Sequence, residues 1–473
     1  MLPAARTARG FPPRREDLRA TVRLALPVVV IQVGMMAMGV VDTIMVGHVS
    51  AQALAAVALG NLYFFGLAIF AMGTLMVLDP VVAQAVGARD EPAAARGIQR
   101  GVLLAVLLTL PAALLLLAAG GFMTLARQPA EVVPLAAGYA VRLAPGVLPF
   151  FVFVVFRQSL QAMRVTAPIV VAIVVANLAN AGLNWMLIFG RLGAPAMGVL
   201  GSAWATTASR WLLAILLVLL VRRRLTPYLW PIRPEIWQPA PLWRMLRLGV
   251  PIGCQVVLEF GAFALVALMM GWLGTREMAG HQVAINLASL TFMVPLGTAD
   301  AASVLVGQAV GRGDPAGARG ASYSALLCGV GFMSLAAIVF LTLPGPLARL
   351  YTDEASVIGV AAALIPLAGV FQVFDGLQAV AGGILRGLGE TRVAMLVNLL
   401  GYWGLGLPVS YALGFRAGLG PAGLWWGLVI GLAVVATVLL VRVRIALGRR
   451  QARVVIDLPA DAPAGTTLRW SGE

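Results

Sequence analysis

Long apolar blocks separated by short charged or Pro/Gly-rich breaks dominate the pattern of this chain. The block GVLLAVLLTLPAALLLLAAGG from Gly101 is typical: its apolar residues form a continuous run and do not alternate as barrel strands do. A run of about 20 apolar residues crosses the bilayer core as an α-helix. The pattern predicts twelve spans, at residues 24–47, 54–79, 101–126, 131–156, 167–190, 199–221, 248–273, 279–310, 321–347, 357–385, 393–414 and 420–441.

Composition supports a multi-pass membrane protein, and the charges predict its orientation. The 473 residues are 60% hydrophobic and 11% charged, whereas soluble proteins have about 25% charged residues. The net charge of +15 comes from arginines concentrated on alternate connections, in the stretches 6–23, 89–100, 157–164, 222–247, 312–319, 386–392 and 442–469. This distribution argues against a nucleic-acid partner. It predicts a bacterial-type inner (plasma) membrane protein with both termini in the cytoplasm.

The chain also repeats itself. RLALP at 23–27 recurs as RLGVP at 247–251, and AQAVGARDEPAAARG at 83–97 recurs as GQAVGRGDPAGARG at 307–320. The constant offset predicts two halves of six spans each. The domains expected are a cytoplasmic N-terminus (1–23), an N-lobe (24–221), a cytoplasmic linker (222–247), a C-lobe (248–441) and a cytoplasmic tail (442–473).

Because six is an even number, both halves enter the membrane in the same direction. The predicted fold is therefore an all-α membrane protein of twelve transmembrane helices in two parallel, pseudo-symmetric six-helix halves. Parallel repeats are typical of secondary transporters, which bind substrate between the halves and rock to alternate access. Duplication also builds inert bundles, so this alternative stays open.

Three acidic residues lie deep within predicted spans: Asp42, Glu259 and Asp375. A charge at the centre of a membrane helix is costly, and such residues usually mark an ion or substrate path. The alternative is a carboxylate near the surface or paired with an arginine. Burial favours the neutral form of a carboxylic acid, so such a group can take up a proton on one side and release it on the other. Carboxylates can equally hold Na⁺, and their charge attracts cationic organic molecules.

Several polar residues are candidates to accompany these acids. Asn177, Asn180 and Asn184 form a stripe on span five, which can equally bond neighbouring helices. Gln282 and Asn286 are four residues apart on span eight and could line the substrate cavity, as could Asn177, Phe371 and Thr206, although a membrane threonine often bonds its own backbone.

Two further acids and two prolines complete the candidates. Asp79 lies at the end of span two and Asp300 lies within span eight, and the roles of both are open. Pro27 and Pro251 occupy matching places in spans one and seven. A proline inside a helix kinks it, which suits a hinge or a static bend.

Some activities have no support in the sequence. There is no G-x-x-x-x-G-K-[ST] phosphate loop, so ATP-driven transport would need a separate subunit. Ion-driven antiport is expected instead, with no ATPase subunit. The isolated His48 and His281 do not predict a metal site, no cofactor is expected, and no segment is long enough for a soluble enzyme domain. One chain already supplies both halves, which predicts a monomer surrounded by membrane lipids.

The sequence resembles the multidrug and toxic compound extrusion (MATE) family, in its NorM-like branch. The resemblance rests on LALPVVVIQVGMMAMGVVDTIMVGHVSAQALAAVALG, ANLANAGLN, LEFGAFALVALMMGWLGTREMAGHQVAINL and GLQAVAGGILRGLGETR, and it covers nearly the whole chain. It implies an antiporter that exports cationic, lipophilic drugs in exchange for H⁺ or Na⁺.

The resemblance also implies roles for individual residues. Asp42, with Asn180 and Asn184, matches the acid and the asparagine motif of the first half, and Glu259 and Asp375 match the acids that bind the coupling cation in the second, with Na⁺ possible there. Phe371 stands where relatives often have a tyrosine; the missing hydroxyl favours H⁺ over Na⁺.

Other classes of membrane protein fit less well. A lipid-linked precursor flippase of the same superfamily is the main alternative, but its anionic pyrophosphate would be repelled by these acids. A membrane prenyl- or acyltransferase needs an Asp-rich or His-Asp motif that the sequence lacks, and two halves suit rocking better than a symmetric channel.

Overall fold

The computed structural model describes residues 13–457, and this part of the chain contains helices and no β-strand. Residues 1–12 and 458–473, where the predicted N-terminal segment begins and the predicted tail ends, lie outside the described residues. In chain order the α-helices are α1 (Arg15–Gly47), α2 (Ala51–Leu75), α3 (Leu78–Gly87), α4 (Glu91–Leu117), α5 (Ala119–Leu125), α6 (Val133–Leu143), α7 (Val147–Ala162), α8 (Ala167–Phe189), α9 (Val199–Leu229), α10 (Pro239–Leu273), α11 (Thr275–Gly311), α12 (Pro315–Thr342), α13 (Pro344–Arg349), α14 (Ala355–Gly387), α15 (Thr391–Asn398), α16 (Leu407–Tyr411) and α17 (Gly420–Gly448).

Within residues 13–457, twelve helical stretches are long and apolar enough to cross a membrane, which confirms the predicted all-α architecture of twelve spans. The helices extend beyond the apolar blocks, because their backbone hydrogen bonds continue through charged residues. Helix α1 begins at Arg15 and α17 ends at Gly448, so parts of the predicted terminal segments are helical. Large apolar side chains such as Leu114 (65% exposed) and Leu178 (70% exposed) lie on the outside. A lipid environment would cover them.

The turns inside the repeated motif are built in the same way in both halves. Arg89 and Gly313 adopt left-handed backbone conformations, with φ of 57° and 66°. The next residues, Asp90 and Asp314, each accept a hydrogen bond from the backbone N–H three residues on, at 3.0 and 2.8 Å, and so cap α4 and α12. The sequence repeat is therefore also a repeat of local structure.

Contacts divide the chain into two compact units. The N-terminal unit contains residues 30–78 and 90–253, and the C-terminal unit contains residues 13–29, 79–89 and 254–457. The units therefore differ from the two predicted lobes, since short segments of the first sequence half belong to the C-terminal unit. Division by sequence repeat stays a prediction.

The connection between the two sequence halves is held within the N-terminal unit. Gln99 donates hydrogen bonds to the backbone oxygens of Tyr228 and Pro231, at 2.9 and 3.1 Å, and Arg100 donates to the oxygen of Glu235 at 2.8 Å. Because Gln99 and Arg100 are buried, these bonds fix the connection against α4. The predicted linker is thus a packed part of its unit, and α9 and α10 extend into it.

Candidate functional site

Asp42, near the end of α1, lies at the centre of a polar cluster in the N-terminal unit. Its side chain is buried, with 2% of its surface exposed. Asn184 of α8 donates a hydrogen bond to Oδ1 of Asp42 at 2.5 Å, and the hydroxyl of Thr206 on α9 lies 2.7 Å from Oδ2. Both carboxylate oxygens therefore have a neutral donor, each from a different helix.

Asn180 extends this cluster and leaves polar atoms beside it. Its Oδ1 accepts a hydrogen bond from Asn184 at 3.2 Å, which confirms that the two asparagines share one face of α8. Nδ2 of Asn180, Oδ1 of Asn184 and Oγ of Ser202 are buried and find no partner in the described part of the chain. Buried polar groups normally have partners, so this arrangement can accept a further ligand.

Arg210 and Tyr139 lie close to the same acid. Arg210 is buried, interacts electrostatically with Asp42, and places its guanidinium 3.9 Å from the ring centroid of Phe64. Tyr139 is fully buried and donates a hydrogen bond to Asn61 at 3.1 Å. Cation–π contact with an aromatic face is a stable position for a buried guanidinium. The arginine thus remains close to Asp42 without forming an ion pair with it.

The third asparagine of the predicted stripe has a different role. Nδ2 of Asn177 donates hydrogen bonds to the backbone oxygens of Gly34 and Ile173, at 3.0 and 2.9 Å. It therefore joins α8 to α1, in agreement with the alternative interpretation as a contact between helices. Its proposed role in the substrate cavity has no support from these bonds.

In the C-terminal unit, Glu259 of α10 and Asp375 of α14 form a second acidic cluster. Asp375 is 6% exposed, Glu259 is half-buried, and the two carboxylates interact electrostatically. Gln378 follows Asp375 by one turn of the helix. Its Nε2 lies 3.4 Å from Oε2 of Glu259. Oδ1 of Asp375 and Oε1 of Gln378 are buried acceptors with no hydrogen-bond partner among the described residues. The cluster thus has oxygen atoms available to a proton or a small cation.

Aromatic rings pack beside this acidic cluster, and they include Phe371. Its ring is 1% exposed and makes edge contacts with Phe263 and Trp425, at centroid distances of 5.8 and 5.7 Å. It therefore belongs to the core in this conformation. Its neighbours cover the ring on several sides, and its role in the substrate cavity stays a prediction.

Tyr402 is a residue of this cluster that the sequence did not reveal. It is fully buried in the π-helix Leu399–Gly406, and its ring packs 6.0 Å from that of Phe263. It interacts electrostatically with Glu259 and Asp375, and its hydroxyl has no partner in the described residues. π-Helical turns often occur at functional sites. A phenolic hydroxyl is therefore present near the acids although position 371 lacks one.

Gln282 and Asn286 share a face of α11, as predicted, but they bond to each other. Nε2 of Gln282 donates to Oδ1 of Asn286 at 3.0 Å, and Gln282 is exposed. On the same helix, the hydroxyl of Thr291 donates instead to Gln372, which precedes Asp375 by one turn. Thr291 thus joins α11 to α14 one turn before Asp375, and nothing in the sequence pattern singled it out.

Asp79 and Asp300 both pair with an arginine. Arg386, at the end of α14, places Nε 3.0 Å from Oδ2 of Asp79 and Nη2 2.8 Å from Oδ1 of Asp300. Both acids are buried, at 1% and 2% exposure. Their roles were left open by the sequence because nothing in its pattern indicates this pairing.

The described residues contain no group of three His, Cys, Asp or Glu side chains that could hold a metal ion. His281 is buried with its ring 5.7 Å from that of Trp425, and His48 is exposed. The two acidic clusters therefore consist mainly of carboxylate, amide and hydroxyl groups, which suit protons and hard cations.

Comparison with known proteins identifies the family. The sequence profile described as MatE matches twice, at residues 27–186 and 251–412, which coincide with the two repeats. The chain is 37% identical to the probable multidrug resistance protein NorM of Mesorhizobium japonicum over 440 residues, covering 90% of this chain and 94% of the relative. It is also 37% identical to the multidrug resistance protein NorM of Burkholderia vietnamiensis, covering 92% and 95%.

Solved structures show the same fold. The crystal structure of the eukaryotic MATE transporter AtDTX14 superposes with a TM-score of 0.83 at 24% identity, covering 92% of this chain and 99% of that one. These relatives are transporters and not enzymes, and the family needs no cofactor. The double profile match, with identity along most of the sequence, shows that the chain belongs to the multidrug and toxic compound extrusion family.

Proposed function

We propose that this protein exports cationic, lipophilic organic compounds by antiport with H⁺ or Na⁺ through alternating access. The observation that carries the proposal is the presence of two clusters of buried or half-buried carboxylates, each with polar atoms available for a ligand. The curated relatives are named multidrug resistance proteins, which supports an exporter of small organic compounds. The protein would act as a monomer in the bacterial inner membrane, with both termini in the cytoplasm.

Charge competition is the physical basis of the proposed exchange. A buried carboxylate is costly unless it is protonated, paired or well hydrogen-bonded. When Glu259 and Asp375 hold a proton or cation, their negative charge is neutralised and a cationic substrate is bound less strongly. Binding of the substrate would in turn favour release of the coupling ion. The two ligands then exclude each other, which couples their movements in opposite directions.

The coupling ion is either H⁺ or Na⁺. For Na⁺, the oxygens of Glu259, Asp375 and Gln378 would be the candidate ligands, with the hydroxyl of Tyr402 nearby. Phe371 supplies no hydroxyl, which favours H⁺. Asp42, with Asn180, Asn184 and Thr206, would form the second coupling group.

The same acids argue against the flippase alternative. A lipid-linked pyrophosphate is anionic, and Asp42, Glu259 and Asp375 would repel it. Gln282 and Asn286 stay proposed as substrate contacts, because both lie at least partly exposed on α11.

The first prediction concerns the acids of the C-terminal unit. Glu259→Gln and Asp375→Asn keep the size of each side chain and remove its ionisable group, so each should reduce exchange of a fluorescent lipophilic cation by at least about tenfold. The measurement uses proteoliposomes driven separately by a pH gradient and by a Na⁺ gradient, and the gradient that drives the wild type identifies the ion.

Glu354→Gln is the matched control, because Glu354 is an exposed acid at the start of the same helix as Asp375. It should exchange at the wild-type rate. Normal exchange in both acid variants would contradict their coupling role. An inactive wild type under both gradients would instead favour the flippase.

The second prediction concerns the hydroxyl donated to Asp42. Thr206→Val preserves shape but removes one of the two neutral donors to a buried carboxylate, a bond of a kind worth about 1.5–3 kcal/mol. We expect exchange in the same proteoliposome assay to slow by about tenfold. Thr437→Val is the control, since the hydroxyl of Thr437 is exposed and bonds only its own helix, to Ala433. Equal rates in the two variants would remove Thr206 from the cluster's function.

The third prediction concerns the hinge prolines. Helix α1 passes from one unit to the other two residues after Pro27, and α10 does so two residues after Pro251. A proline within a helix removes a hydrogen bond and permits bending. Pro27→Ala and Pro251→Ala should therefore slow exchange by roughly fivefold without loss of thermal stability.

Pro366→Ala is the matched control for the hinge, because Pro366 lies inside α14, within a single unit. It should leave the rate unchanged. If all three alanine variants behave alike, the prolines are static bends and the hinge assignment is wrong.

A further inference from the structure

The two copies of the repeated motif pack against each other inside the C-terminal unit. Ala83–Gly87 ends α3 and Gly307–Gly311 ends α11. A methyl group added at Gly87 would lie 2.7 Å from Cα of Gln308, and one added at Gly311 would lie 2.8 Å from the carbonyl carbon of Gln84. The contacts are reciprocal, with the same offset of 224 residues between partners. This is therefore a close, approximately two-fold contact between the sequence halves.

An ion bridge joins the same helices. Arg386 of α14 binds Asp79, at the start of α3, and Asp300, within α11, at 3.0 and 2.8 Å. Asp300 and Arg386 both come from the second sequence half, whereas Asp79 comes from the first. One of the two ion pairs is therefore internal to the second half and the other crosses between the halves.

A glutamine of the motif connects a third element to this contact. Nε2 of Gln84 donates to the backbone oxygen of Gly387 at 2.9 Å, and Oε1 of Gln84 accepts a hydrogen bond from the N–H of Val454 at 2.7 Å. The segment after α17 thus binds directly to the motif. These groups lie in the half of the spans that is nearer the face where the alternating arginines predict the cytoplasm.

We propose that this contact is the closed cytoplasmic gate of the transporter and that Arg386 is its ionic lock. The inference rests on the proposed alternating access, because opening towards the cytoplasm requires the two sequence halves to separate at this face. Arg386 is not a member of either acidic cluster proposed to bind the coupling ion, so it acts as a positioning residue. The pair of Arg386 with Asp79 is the ion pair that crosses between the halves and must break, together with the hydrogen bonds of Gln84.

The presence of two acids explains how such a buried lock can open repeatedly. Breaking an isolated buried ion pair leaves an uncompensated charge, which is strongly unfavourable. Here Arg386 keeps Asp300 as a partner when Asp79 moves away, while Asp79 gains access to water at the cytoplasmic face. Asp300 therefore orients the arginine and lowers the cost of opening.

A disulfide between the two motif copies tests the gate directly. A β-carbon at position 307 would lie 3.0 Å from Cβ of Ala83, near the separation of about 3.5–4.5 Å found in disulfides. The pair Ala83→Cys and Gly307→Cys is made in a background carrying Cys254→Ser and Cys328→Ser. The rate of disulfide formation in proteoliposomes is measured from the thiols that remain for maleimide labelling after denaturation.

In the parent pair we expect rapid disulfide formation that stops exchange of the fluorescent cation, with recovery on reduction. Adding Arg386→Gln or Asp79→Asn should slow disulfide formation by about tenfold, because the crossing ion pair is lost. Asp300→Asn should have a smaller effect, and Asp79→Glu should restore much of the rate. Arg392→Gln is the control, since Arg392 is an exposed arginine at the second position of α15 and should change nothing.

Three outcomes would overturn the proposal. The first is the absence of a disulfide in the parent pair, the second is full exchange by the oxidised protein, and the third is an equal disulfide rate with and without Arg386→Gln. If the antiport proposal fails, the wild type is inactive in the exchange assay. That outcome is distinct from failure of the gate, because disulfide formation is measured without transport.

Discussion

A carboxylate that leaves water for the interior of a membrane protein must find hydrogen-bond donors, a cation or a proton. This chain meets the requirement in three ways. Asp79 and Asp300 share one arginine. Asp42 is held by neutral donors from two helices. Glu259 and Asp375 have one long contact from Gln378, together with each other's charge.

These differences sort the acids by the ligand that each can accept. Asp79 and Asp300 are each paired with Arg386, so they fit a structural or gating role. Oδ1 of Asp375 and Oε1 of Gln378 are buried without partners in the described chain, and the like charges of Glu259 and Asp375 favour a bound proton or cation. Asp42 is intermediate, since its donors stabilise the anion while Asn180 and Asn184 retain unused polar atoms.

The sequence predicted the spans, the repeat and the candidate acids. The length of an apolar run, a repeated motif and a charge within an apolar block can all be read from the order of the residues alone. It did not predict partnerships that depend on helix packing. Thr206 was a weak cavity candidate and instead bonds Asp42. Arg386 was assigned only to a charged connection, and it joins two acids far apart in the chain. Tyr402 lies on a π-helical turn, and the burial of Phe371 follows from rings on other helices.

The claim that substrate and coupling ion compete for the same charge is tested most directly by their displacement. The protons released when a lipophilic cation binds to the purified protein can be measured in weakly buffered detergent solution, with and without Na⁺. Competition for the same charge predicts release of H⁺, or displacement of bound Na⁺ in its place, and loss of this release when Glu259→Gln and Asp375→Asn are combined. Binding of the cation with no displacement of either ion would contradict it, as would undiminished displacement in the double variant.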